Sequence, residues 1–177
     1  DMTFKDTDGS DYVVGQVWGS CGANIYLIDQ VRARMDFPTT IQAFLDLTRK
    51  YPKATTKLVE DKANGSAVIA MLTHKVGGII PVTPKESKQA RVSAVSPLIE
   101  AGNVHLPLNA PFTNGFVEEC SSFPNGANDD QVDCMSQALQ RFMFVREHEI
   151  IKTPTYNFSF ERPKPNPGGY GEVSRVI

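Results

Sequence analysis

Two β-prone runs split by a glycine-containing break, followed by alternating helical and strand-like periodicities, narrow the folds open to this chain. Tyr12 to Trp18 and Ala23 to Arg32 carry aromatic and β-branched residues, with Gly19, Ser20 and Gly22 between them as turn chemistry, so they read as an antiparallel pair. Thr39 and Gln42 then stand at capping-box spacing, and Ile41, Phe44, Leu45 and Thr48 recur at helical intervals in a helix ending near Tyr51-Pro52. Thr55 to Glu60 is a short β-prone run. Ser66 to Val76 sets Val68, Met71, Leu72 and Val76 on one helical face and is stopped by Gly77-Gly78, after which Ile79 to Val82 reads as a buried strand. Ser87 to Ala101 is helical through Val92, Val95 and Ile99, with Pro97 expected to bend it and Gly102 to close it. Val104 to Leu108 is a short extended piece, Pro111 to Ser121 a candidate helix, and Asp129 to Phe144 the clearest helix, through Val132, Met135, Leu139 and Met143. A hairpin followed by such alternation implies an α/β fold with a mixed sheet, antiparallel on one side and parallel on the other.

The length, 177 residues, suits one domain with a real core. Its ordered part is expected over residues 1–150. From Thr153 the character changes: Arg162 to Gly169, rich in proline and glycine, cannot bury a core, and residues 151–177 read as an extended tail. No apolar run approaches the roughly 18 residues of a membrane span, so no membrane is expected. Cys21, Cys120 and Cys134 are odd in number and lack C-x-x-C spacing, which argues against a disulfide framework and a zinc site and favours a reducing, cytosolic setting. The net charge of −2 is not the footprint of a general nucleic-acid binder, although a carboxylate-rich site would mask a modest basic patch. No signal peptide is visible, and a chain that starts at Asp reads as a fragment of something larger.

Acidic residues far apart in sequence, at Asp1, Asp11, Glu60 and Asn128 to Asp133, each border apolar runs. Such carboxylates meet only through the fold, and convergence in a semi-buried place calls for a compensating charge, commonly a divalent cation. Glu60 ends a strand, the position from which α/β sheets present ligand-binding groups; the plain alternative is a solvated carboxylate. Phe123 to Asp133 places a turn-rich loop before a strong helix that Asn128 or Asp129 can cap. The helix dipole explains one or two acids in a first turn. Asp129, Asp130 and Asp133 exceed that need, and helical geometry sets Asp129 and Asp133 nearest the buried face, leaving capping and metal ligation both open.

Other patterns are excluded or weaker. Asp6 to Asp11 fails as a calcium loop: with Gly9 at the required glycine, Phe4 and Gly15 fall on ligand positions. His74, His105 and His148 lack partner spacing, and neither Ser20-Cys21 nor Cys120-Ser121-Ser122 forms a nucleophile elbow. No phosphate-binding G-x-x-x-x-G-K-[ST] loop is present, so no nucleotide cofactor is expected. Lys85, Lys88 and Arg91 form the densest basic spacing, suited either to DNA phosphates or to a solvated helix start. Trp18 reads as a packing residue.

Asp1-Met2-Thr3 with Gly9-Ser10-Asp11-Tyr12, then Val59 to Gly65 (VEDKANG), then Lys85 to Arg91 (KESKQAR), then Asn128 to Asp133 (NDDQVD), in this order and spacing, resemble the C-terminal nuclease domain of tailed-phage or prophage terminase large subunits. The resemblance covers Asp1 to about Arg141. It implies an RNase H-like fold, its mixed central sheet flanked by helices, and an endonuclease that cuts double-stranded viral DNA during genome packaging. The family's acidic residues carry over to Asp1, Glu60, Asp129 and Asp130. With Asp133 they are expected to hold two Mg²⁺ or Mn²⁺ ions for phosphodiester hydrolysis, Asp1 bridging both. Lys85, Lys88 and Arg91 are expected to contact DNA phosphates without reading bases. Implied partners are duplex DNA, a terminase ATPase domain absent from this chain, the small terminase subunit and the portal, in the host cytoplasm. Many members have His where this chain has Asn128. In the family the first aspartate ends a central strand, whereas here nothing precedes Asp1, so either a strand lies upstream of it or its amine sits close to the site. Two other readings stay open: a junction resolvase or transposase-type nuclease of the same fold, and a non-catalytic DNA-binding packaging module.

Overall fold

In a computed structural model, residues 12–62 and 65–152 are described. Asp1, Asp11, the calcium-loop candidate and the tail from Thr153 onward lie outside them. Two strands open the described chain, β1 (Val13–Cys21) and β2 (Asn24–Ala33), antiparallel from Val13 opposite Ala33 to Cys21 opposite Asn24. β1 runs straight through the Gly19-Ser20 expected in the turn, which tightens to Gly22-Ala23, with Gly22 at φ 57. A register shift at Val17/Trp18 marks a bulge. β2 buries Ile25 and Leu27 and exposes Tyr26 and Ile28, the alternation of a strand covered on one face.

Helix α1 (Phe37–Lys50) starts earlier than the Thr39 capping box suggests. Asp36 is the cap, its carboxylate accepting from the Thr39 amide at 2.9 Å, and Pro38 fits the first turn because its missing donor is not needed there. Strand β3 (Lys57–Glu60), helix α2 (Gly65–Thr73) and strand β4 (Ile79–Val82) form a unit in which β3 and β4 pair in parallel. Gly65 is obligatory: a Cβ there would lie 1.8 Å from the Glu60 carbonyl oxygen, so only glycine lets the helix start this close to the end of β3.

Helix α3 (Lys88–Glu100) is capped by Ser87, whose hydroxyl accepts from the Ala90 amide. Pro97 is tolerated in its last turn, and Gly102, at φ 74, closes it with Asn103 donating back to the Leu98 carbonyl. The extended piece after it is a strand only over β5 (Val104–His105), parallel to β2. Helices α4 (Thr113–Ser122) and α5 (Asp130–Lys152) are the last elements of the described residues.

The class is α/β with antiparallel and parallel pairing, as the sequence implies, but among the described residues the strands divide into two sheets: β1-β2-β5, and β3-β4. Each has its own core. Ile25, Leu27, Val95, Phe116, Val132, Met135 and Leu139 pack one, joining the larger sheet to α3, α4 and α5. Ile41, Val59, Val68 and Leu72 pack the other with α1 and α2. Val13 to Trp18 of β1 and Lys57 to Glu60 of β3 line a largely apolar cavity of about 420 Å³ walled by α1 and α5. Trp18 packs edge-on to Phe116 and donates its indole N–H to Gln16, the packing role expected of it.

Candidate nuclease site

Glu60 is the last residue of β3, and its side chain is only 9% exposed. One carboxylate oxygen accepts from Gln137 Nε2 at 2.8 Å, and the other lies 3.5 Å from Lys62 Nζ. The same Gln137 nitrogen lies 3.5 Å from Asp133 Oδ1 on the preceding turn of α5. One amide therefore spans two carboxylates from distant parts of the chain, and their oxygens stand within the reach of those two contacts. Burial pushes the thiol of Cys134, beside them, above its usual range, and the charges of Asp133 and Glu60 add to the effect.

The first turn of α5 differs from the helical-wheel expectation in one respect. Asp130 and Asp133 are buried, at 3% and 2%, while the Asp129 side chain stays 40% exposed. Asp129 precedes the helix, so its side chain does not follow the helical period; its carbonyl accepts from the Asp133 amide and starts the ladder.

α3 brings its basic residues against this turn. Lys88 Nζ bonds Asp129 Oδ1 at 2.7 Å and lies 3.6 Å from Asp133 Oδ2. Burial works against the charge on Lys88, but the Asp129 hydrogen bond and the fields of Asp133, Asp129 and Asp130 outweigh it and hold the ammonium above the usual lysine range. Arg91 is buried at 4%, its guanidinium bonded to Asp133 and, at 2.6 Å, to the Glu86 carbonyl. The residue expected to meet DNA phosphates is thus turned inward, because a buried Asp133 requires a cation that never loses its charge. Lys85 is exposed.

Behind the turn lies a polar network that the sequence reading missed. Glu119 of α4, 7% exposed, accepts from the Gln131 amide at 2.7 Å on one oxygen, while its other oxygen, Oε2, is shared by the Gln131 side chain and Arg32 of β2, the latter at 3.1 Å. Gln131 Oε1 accepts from Gln30 at 2.7 Å, and Gln30 Oε1 from Gln16 at 2.8 Å. Glu119 thereby satisfies one free amide at the start of α5, that of Gln131, and ties that turn to the hairpin through Arg32. No spacing rule marks it, since its partners lie in other elements. Gln137, four residues after Asp133 on the same helix face, carried a weak signal of that kind.

Among the described residues no three His, Cys, Asp or Glu side chains are grouped to hold a metal ion. The described carboxylates supply hard oxygen donors of the kind Mg²⁺ and Mn²⁺ take, and Glu60 lies across Gln137 from the acidic turn, so the donor chemistry fits such ions. Asp133 is already neutralised by Arg91.

The described residues thus form an α/β core with antiparallel and parallel strands, flanking helices, and acids delivered from a strand end and a helix start. The family model of the terminase RNaseH-like domain matches residues 1–142, and the chain belongs to that family. A search of curated proteins finds no match. Membership supports a nuclease-type role in genome packaging in general. No helix among the described residues is long and apolar enough to cross a membrane.

Proposed function

We propose that the chain is a metal-dependent endonuclease that cuts double-stranded viral DNA during genome packaging, by phosphodiester hydrolysis with two Mg²⁺ or Mn²⁺ ions. The observation that carries this reading is the meeting of Glu60 with the acidic first turn of α5 across Gln137, within a terminase RNaseH-like domain. Asp1, Glu60, Asp129 and Asp130 would hold the ions. When bound, such ions lower the pKa of an attacking water and neutralise charge on the leaving oxygen.

The protein's own contribution is positional. Gln137 orients Glu60 by bonding one of its oxygens and leaving the other directed toward Lys62. Glu119 and Arg91 fix the start of α5 from two sides, through the Gln131 amide and through Asp133. Such preorganisation removes the cost of gathering like charges at the moment of reaction. Lys85, with Lys88, would meet DNA phosphates, giving weak sequence preference and binding that falls with salt. Duplex DNA is the proposed substrate. A terminase ATPase domain, the small subunit and the portal are the proposed partners.

The test is incubation of the purified chain with supercoiled plasmid and Mn²⁺, Mg²⁺ or EDTA, beside Glu60→Ala and Asp130→Asn variants. Nicking and linearisation that need metal and vanish in both variants are expected. A chain that binds duplex DNA and never cuts it refutes the nuclease and favours a binding module, and preference for branched over plain duplex favours a resolvase-type enzyme.

A further inference from the structure

Two cations of α3 face the acidic turn of α5, and they are held differently. Arg91 is buried, with its guanidinium divided between Asp133 and the Glu86 carbonyl, so it is a fixed part of the core. Lys88, one helical turn earlier and next to the capping Ser87, keeps about a third of its side chain in solvent (36%). Its ammonium bonds Asp129 at 2.7 Å, reaches Asp133 at 3.6 Å and feels Asp130. A compact ammonium on a flexible four-carbon stem, open to water, can leave such a place at little packing cost, as a buried guanidinium cannot.

Resting on the nuclease reading above, we propose that Lys88 is a placeholder cation: it neutralises the Asp129 turn in the absence of metal and is displaced when a divalent ion binds there. Ion loading frees the ammonium, and a phosphate of duplex DNA is the nearest new partner that its charge would take. An ammonium in hydrogen-bond contact with an Asp129 oxygen repels a second cation approaching the same carboxylate, so the two occupy the turn alternately. The apparent affinity for the ion is lowered by that competition, and contact of Lys88 with DNA relieves it. By linkage, bound metal favours DNA as DNA favours metal.

The alternative is that Lys88 is a structural tie, and the sign of one effect separates the two. A tie, once cut, loosens the start of α5 and leaves metal affinity unchanged or weaker; a competitor, once removed, strengthens it. The experiment is calorimetric titration of Mn²⁺, without DNA, into the full chain and its Lys88→Met, Lys88→Gln and Lys85→Met variants, with thermal unfolding of each to establish folding. The two Lys88 variants are expected to bind Mn²⁺ about tenfold more tightly than the parent, the scale of removing one nearby like charge, while Lys85→Met stays at parental affinity. Equal or weaker binding by folded Lys88 variants overturns the proposal, and so does an equal gain in Lys85→Met, which would reflect general charge. Plasmid cleavage by the parent chain in the same buffer keeps the two ideas apart. Metal-dependent cutting with no gain in the Lys88 variants sinks the placeholder alone, whereas no Mn²⁺ binding by any form and no cutting sinks both.

Discussion

Replacing Arg91 with Met should be among the most damaging single changes in this protein, although Arg91 stands where a DNA contact was expected. Its partner Asp133 is 2% exposed, so without the guanidinium a carboxylate stays buried with its charge uncompensated. Breaking a buried pair from one side costs about 3–5 kcal/mol. Lys88 at 3.6 Å and Gln137 at 3.5 Å supply partial substitutes, which favours the lower end of that range. For a chain of this size about 3 kcal/mol corresponds to a fall in Tm of roughly 6–12 °C. Urea and thermal unfolding of Arg91→Met measure the loss directly. The double variant Arg91→Met/Asp133→Leu removes both charges, and it should recover much of the stability because the desolvation cost disappears with them. A single variant within about 0.5 kcal/mol of the parent would show that the pair is solvated and refute the argument.

Two further changes probe the scaffold. Asp29 on β2 accepts from Lys50 at 2.7 Å and Tyr51 at 2.8 Å, tying the hairpin to the end of α1; burial raises its pKa, but these bonds and the Gln30 amide outweigh it and hold the carboxyl below its usual range. Its stabilising effect is therefore complete above the ordinary carboxylate range and lost as pH falls through the depressed value. Asp29→Asn should be less stable than the parent at neutral pH, with the gap closing in acid when unfolding is followed against pH. Glu119→Ala should cost about 1–3 kcal/mol in urea unfolding, because the Gln131 donors and Arg32 lose their buried acceptor; an unchanged midpoint would mean that water replaces the carboxylate.

Much of the architecture was legible because it is written in local periodicity. The hairpin, the helix through Val132, Met135 and Leu139, the glycine stop at Gly102 and the strand ending on Glu60 all follow from side-chain spacing and turn chemistry that neighbours enforce. Boundaries moved where a residue outside the pattern took the capping role. Asp36 displaced Thr39 because its carboxylate reaches the Thr39 amide, and Asp129 left the helical wheel because it precedes the helix. The hairpin turn shifted to Gly22-Ala23 because Gly22 supplies the positive φ that Gly19, inside the ladder, does not need.

By itself, then, the sequence determined which segments are strands and helices, the α/β class, and that acids stand at a strand end and a helix start in the order of a terminase nuclease domain. These depend on residues within a few positions of one another and on a motif order readable along the chain. Only the tertiary structure decided which acids share a partner, that Arg91 serves Asp133 inside the protein while Lys88 remains open to solvent, that Glu119 anchors α5, and that the described strands form two sheets. The reason is that an ion pair or a buried hydrogen bond has no sequence period. Its energy depends on burial and on the separation of side chains from different elements, and both quantities come into being only when the helices dock.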